Sequence, residues 1–161
     1  MPYYASPGSV TTVSGSYQSA QAIWVPALGL TSIAQRRIKV YEILAGAIGN
    51  PNSNDTYLEC AVMRQTASGS GAGTGVTNNP LDTADPVSCT TGLVSPSAET
   101  TFSGTVTLWD IGMNQRATVR WIAAQESQYF VSPFTSGLGF ALRTKSANYT
   151  SAFDGQLSFM E

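Results

Sequence analysis

At 161 residues the chain is the size of one ordinary domain, long enough to bury a core without a metal or a disulfide framework. Only 11% of it is charged, 8 basic against 10 acidic residues for a net charge of −2, which argues against the basic face that a nucleic-acid binder presents. Histidine is absent, so Ser-His-Asp and Cys-His catalysis, histidine zinc sites and the usual neutral-pH proton shuttle are unavailable.

Met1-Pro2-Tyr3-Tyr4 carries neither a basic region nor an apolar core, so no signal peptide is expected. No run approaches the ~20 apolar residues that span a bilayer, and no membrane association is expected. Segment 1–32, with Pro2, Pro7 and Pro26 among Tyr and Ser, reads as an N-terminal arm together with the first strands, for which Ser9–Val13 and Ala22–Val25 are weak candidates. The one stretch with helical spacing is a turn's length within Leu28–Ala34.

Period-two alternation then takes over. Ile38, Val40 and Glu42 are set against Lys39, Tyr41 and Ile43, and a turn cluster follows at Asn50–Asp55. In Thr56–Arg64, Leu58, Cys60 and Val62 are expected on the inner face. Segment 67–87 is a long Gly/Pro-rich loop, low in complexity over Ser68–Pro80, of a length that is usually functional or mobile. Ser88–Val94 is a weak strand. Phe102, Val106 and Leu108 alternate with Thr101, Thr105, Thr107 and Trp109, and Ala117, Val119, Trp121 and Ala123 alternate with Arg116, Thr118, Arg120 and Ile122. Leu138, Phe140 and Leu142 come next, then Leu157 and Phe159 in a closing strand. Eight to ten short strands with Gly, Pro and Asn between them predict a single all-β domain over 1–161, a β-sandwich of jelly-roll type.

Cys60 and Cys89 have no CxxC partner, so a four-ligand zinc site is excluded, and without export both are expected as free thiols. Gly69, Gly71, Gly73 and Gly75 do not make a phosphate loop, because Val76-Thr77 follows where a Lys-Ser/Thr is needed. Asp82 and Asp85 read as turn caps rather than cation ligands. Glu59, Glu99, Asp110, Glu126 and Asp154 are scattered, with no spacing that suggests a glycosidase pair. Neither a metal nor a cofactor is expected. Trp24, Trp109 and Trp121 and the tyrosines could form a carbohydrate platform, although large aromatics more often serve cores and interfaces.

The run Glu59, Arg64-Gln65-Thr66, Gly69–Gly75 and Val76-Thr77-Asn78-Asn79-Pro80-Leu81-Asp82-Thr83-Ala84-Asp85-Pro86 resembles small tailed-phage proteins known, where placed, as capsid decoration (cement) proteins. Their pattern has an acidic strand residue, Arg-x-Thr, a Gly/Ser turn and Val-Thr-Pro-x-Pro-Leu-Asp. Asn78 stands here where the pattern has its first proline. Gly155-Gln156-Leu157-Ser158-Phe159-Met160-Glu161 is a second point of similarity, a closing strand that ends on an acidic residue.

The resemblance implies a structural, non-enzymatic virion protein, made in the host cytoplasm and placed on the capsid exterior. Its partners would be the major capsid protein and itself, as a homotrimer. For that role Tyr3, Tyr4, Trp24, Arg36, Arg37, Asp82 and Asp85 are the candidate interface residues. A low charge content suits it, since charge-poor patches form the centres of permanent interfaces. The alternatives are a receptor- or carbohydrate-binding module of a phage tail and, more remotely, a virion-associated hydrolase.

Overall fold

The computed structural model describes residues 1–11, 15–25, 36–67, 74–95, 99, 101–147 and 150–161, the side chains of 103–106 excepted. The strands among them are, in chain order, β1 (Tyr3–Thr11), β2 (Gln18–Trp24), β3 (Lys39–Ala47), β4 (Tyr57–Ala67), β5 (Thr74–Val76) and β6 (Asn79–Pro80). They continue with β7 (Thr91–Val94), β8 (Thr101–Asn114), β9 (Thr118–Ile122), β10 (Phe130–Val131), β11 (Gly139–Ser146) and β12 (Ala152–Met160). The one helical element among the described residues is a 3₁₀ turn at Glu126–Gln128, and no helix there is long and apolar enough to cross a membrane.

Two antiparallel sheets face each other. The first runs β10-β3-β12-β1-β6, with β9 also on β3, and the second runs β5-β7-β2-β11-β4-β8. The pairings nest: β1 with β12, β2 with β11, β3 with β9 and β4 with β8. With β12 also on β3 and β11 also on β4, this is the strand order of a jelly roll. The all-β sandwich expected from the alternation is therefore present.

Leu58, Cys60 and Val62 of β4 are fully buried, as their spacing predicts, and so are Phe140 and Leu142 of β11 and Leu157 and Phe159 of β12. Tyr4, Phe140, Phe153 and Phe159 are the largest fully buried side chains among the described residues, with the Tyr4 and Phe159 rings stacked at 5.5 Å. Each ring is worth ~3–5 kcal/mol against truncation to alanine. Gln21 crosses the core: its side-chain amide donates to Ser6 Oγ, and its carbonyl oxygen accepts the Leu157 N–H. That leaves a buried amide with partners on the opposite sheet, as burial demands.

One place in the core is narrow. Gly8 and Gly155 are opposite one another on β1 and β12. A Cβ on Gly8 would lie 2.5 Å from the Ala20 carbonyl oxygen, and one on Gly155 would lie 2.3 Å from Leu142 Cδ2. Glycine at both positions lets the two sheets approach where side chains would hold them apart.

Several expectations need correction. Strict alternation from Ile38 to Ile43 fails, because the register between β12 and β3 slips between Ser158/Phe159, which face Glu42 and Val40. The extra residue, Tyr41, is a β-bulge that reverses the phase, so Ile38, Val40, Ile43 and Ala45 are all buried while Leu44 faces out. Twelve strands replace the eight to ten expected, because β5, β6 and β10 are only two or three residues long. Within segment 1–32 the expected first strands are present, longer than foreseen: Tyr3–Thr11 and Gln18–Trp24 are hydrogen-bonded within the two sheets. Among the described residues of loop 67–87, β5 adds to the edge of the second sheet and β6 to the edge of the first. The turn within Leu28–Ala34 and Gly69, Gly71 and Gly73 lie outside the described residues.

Candidate interaction surfaces

The outer face of the first sheet carries a pit. Gly46 of β3 is opposite Asp154 on β12 and Thr118 on β9, and Asp154 is opposite Ser9 on β1. The next outward residues are Leu44 on β3 and Ile48 just beyond its end, 39% and 56% exposed. Because Gly46 has no side chain in this grid, a groove of about 520 Å³ opens there, walled by Leu44, Ile48, Thr118 and Asp154. Ile122, 51% exposed, extends the apolar surface along β9. On the same face Arg120 and Glu42 form an ion pair of 2.6 Å.

A row of tyrosines crosses the other end of this face. The Tyr3 and Tyr41 rings meet edge to face with centroids 5.6 Å apart, and Tyr41 and Tyr129 are 6.3 Å apart. Burial, and then the nearby Glu42 carboxylate, raise the Tyr41 hydroxyl above its ordinary pKa of 10.0. The tryptophans named as a platform are elsewhere. Trp24 packs with Ala22 and Ala141, and Trp109 and Trp121 lie partly buried against the main core, Trp121 stacked on Phe130 at 4.8 Å.

Of the candidate interface residues, Tyr3 is 45% exposed and Arg36 and Arg37 are exposed, Arg37 Nε donating to the Ser132 carbonyl oxygen. Tyr4 and Trp24 are not surface residues: at 0% and 8% exposure both belong to apolar clusters. Their alternation partners put them on buried faces, a placement that aromatic identity alone does not distinguish from an interface. Asp82 is the turn cap expected of it, its Oδ1 accepting the Ala84 N–H at 2.9 Å and its carbonyl accepting the Asp85 N–H at 3.0 Å. Asp85 is half-buried in the same turn.

Glu161, the acidic residue that ends the closing strand in the resemblance, follows β12 and organises this end of the molecule. Its carboxylate is 8% exposed and accepts from Ser88 Oγ at 2.5 Å, from the Cys89 N–H at 3.1 Å, and from the N–H and hydroxyl of Thr90. The Cys89 thiol donates to it as well, at 2.8 Å. Burial and this carboxylate push the Cys89 thiol up to about 12, so it stays protonated and is a poor nucleophile. Burial likewise pushes Cys60 up, and both cysteines are free and buried. Tyr4 donates its hydroxyl to the Pro86 carbonyl at 2.9 Å, tying the same loop to β1. Asn78, the departure from the decoration-protein pattern, is buried and donates from Nδ2 to the Thr90 carbonyl at 2.8 Å, a bond that a proline could not supply.

The outer face of the second sheet holds a charged network. Glu59 pairs with Lys145 at 2.8 Å and accepts from the Tyr17 hydroxyl. Arg143 lies between the Tyr17 and Phe102 rings, 5.2 and 4.2 Å from their centroids, and pairs with Glu99 at 3.2 Å. Glu99 also accepts from the Ser19 N–H and hydroxyl. These carboxylates anchor the segments at Tyr17 and Glu99 onto the sheet. Among the described residues no three His, Cys, Asp or Glu side chains come together as a metal-binding group.

Comparison with known proteins finds no matching family model, no matching curated protein and no matching solved structure.

Proposed function

We propose that this chain is a structural virion protein that binds the outer surface of a phage capsid as an oligomer, a homotrimer, and stabilises the shell. The observation that carries the reading is the physical union of the two segments on which the resemblance rests. Pro80 pairs with Tyr4 of β1, the closing strand lies along the other side of β1, and Glu161 clasps Ser88–Thr90 just beyond the quoted run. They form one structural unit of the sandwich. The outer face of the first sheet, with exposed Leu44, Ile48 and Ile122 and a self-neutralised ion pair, supports the same reading, since low-charge apolar patches mark contact surfaces. Several linked weak contacts from one oligomer raise effective affinity by orders of magnitude, which suits reinforcement of a shell. The test is light scattering after size exclusion, with a trimer expected, followed by saturable co-sedimentation with preformed, undecorated capsids. A monomer that never pellets with capsids overturns the proposal.

The tyrosine row favours a second reading, a glycan-binding module on a virion. Tyr3, Tyr41 and Tyr129 present consecutive rings on one face, the kind of surface on which sugars stack. Binding on a glycan array that is lost in Tyr3→Ala, by a monomer that ignores capsids, would transfer the assignment.

A further inference from the structure

The pit at Gly46 has a chemistry of its own. Its long walls are aliphatic, Leu44 of β3 on one side of the gap and Ile48, just beyond the end of β3, on the other. Across the strands it is closed by the Thr118 side chain on one side and by the Asp154 carboxylate on the other. Asp154 is exposed, is the one charged residue lining the groove, and forms no ion pair with any described Lys or Arg. The other carboxylate on this face, Glu42, is already neutralised by Arg120. One negative charge is thus left at the edge of an apolar depression.

We propose that this pit is a docking site for a basic side chain, lysine in the first instance, presented by a partner protein. A lysine stem is four methylenes long and packs along aliphatic surface while its ammonium stays at the rim. Leu44 and Ile48 match the stem, Asp154 matches the charge, and the Thr118 and Ser9 hydroxyls flank it as further acceptors for the three ammonium donors. A purely apolar side chain would leave Asp154 unpaired, and an acidic one would be repelled. The groove extends from β1 over β12 and β3 to β9, roughly 14 Å at ~4.8 Å per strand, the length of about four residues of extended chain. There is therefore room for the segment that carries the lysine. The inference does not depend on the virion assignment: the same pit would read a lysine on a capsid subunit or on any other protein.

The test is a titration of the isotopically labelled protein with acetyl-Ala-Lys-Ala-amide, followed by amide chemical shifts. Shifts are expected at Gly46, Ile48, Thr118 and Asp154, saturating in the millimolar range and weakening as salt rises to ~0.5 M, because a single exposed ion pair is weak and screened. The norleucine counterpart, which keeps the stem and loses the charge, should bind at least about threefold more weakly, as should Asp154→Asn toward the lysine peptide. Asp154 is exposed, so this variant should fold normally, with an unchanged far-ultraviolet spectrum and melting temperature. Gly46→Ala, whose methyl would lie 2.9 Å from Thr118 Oγ1, should raise the floor of the groove, displace the Thr118 side chain and weaken the shifts. Equal binding of the norleucine peptide, undiminished binding by Asp154→Asn, or silence at these amides up to ~10 mM peptide would each overturn the proposal. So would a change in self-association of Asp154→Asn without any peptide response, which would assign the pit to a second copy of the chain.

Discussion

Replacing Gly155 by alanine tests the narrow point of the core. The new Cβ would lie 2.3 Å from Leu142 Cδ2, about 1.5 Å inside an ordinary carbon–carbon contact, so the buried Leu142 side chain or the strand beneath it must shift. Overpacking of this kind costs ~1–3 kcal/mol. The backbone at Gly155 is not left-handed, so alanine also stiffens the unfolded chain and returns ~0.4–1 kcal/mol. The net expectation is a loss of about 1–2 kcal/mol, a fall in melting temperature of roughly 2–8 °C for a chain of this size. Leu142→Ala alone removes a fully buried side chain and should cost ~2–5 kcal/mol. In the double variant the methyl introduced by Gly155→Ala enters the space that Leu142 vacates, so its loss should fall short of the sum by about 1–2 kcal/mol. Urea unfolding followed by tryptophan fluorescence gives all four corners of the cycle. Additivity within ~0.5 kcal/mol, or a neutral Gly155→Ala, would refute the close approach of the sheets at this position.

Three further outcomes are expected. Glu161→Gln presents an N–H to donors that need an acceptor; stability should fall by about 2–4 kcal/mol, and Cys89 should label faster with a thiol reagent in the native state while Cys60 stays silent, an unchanged melt and labelling rate counting against the clasp. The Glu59 carboxyl is raised by burial, but hydrogen bonds from Lys145 and Tyr17 outweigh that and hold it below its ordinary 4.5. A depressed folded-state pKa gives stability that is complete above the unfolded value and lost as pH falls through the folded one, so acid unfolding below about pH 4.5 should be shallower in Glu59→Gln than in the parent. Alkylation under denaturing, non-reducing conditions should add two labels to the intact mass, one each at Cys60 and Cys89.

The inner faces of β4, β11 and β12 were legible because alternation there runs unbroken, and Leu58, Cys60 and Val62 needed nothing beyond period two. In β3 the alternation misled. A bulge is defined by two strands together, and nothing local distinguishes Tyr41 as the extra residue. Tyr4 and Trp24 were candidates for a surface because an aromatic residue serves cores and interfaces alike; the pairing of β1 with β12 places Tyr4 in the main core, and Leu93 and Phe102 cover Trp24 in a separate cluster with Ala22 and Ala141. The Asp82 turn was readable, its bonds being made within three residues. Glu161 was legible only as the acidic end of the closing strand, since its partners at Ser88–Thr90 lie some seventy residues away. The Gly46 pit had one faint signal, a glycine inside a strand, but its walls come from five strands and could not be assembled in one dimension.

The nested pairing of strands has a consequence for the order in which the molecule is made. β4 and β8 are the members of the nest closest in sequence, followed by β3 with β9, β2 with β11, and β1 with β12. Loop-closure entropy favours the inner pair, so assembly should spread outward from it, and such non-local topologies fold in milliseconds to seconds. β1 leaves the ribosome early, yet its long partner β12 is synthesised late. Until β12 arrives, Tyr4 and Val10 have no inner face to join, and β3 lacks the neighbour that separates it from β1. β12 is therefore the strand that closes the sandwich, and the interval before it docks is when the nascent chain is most exposed to aggregation.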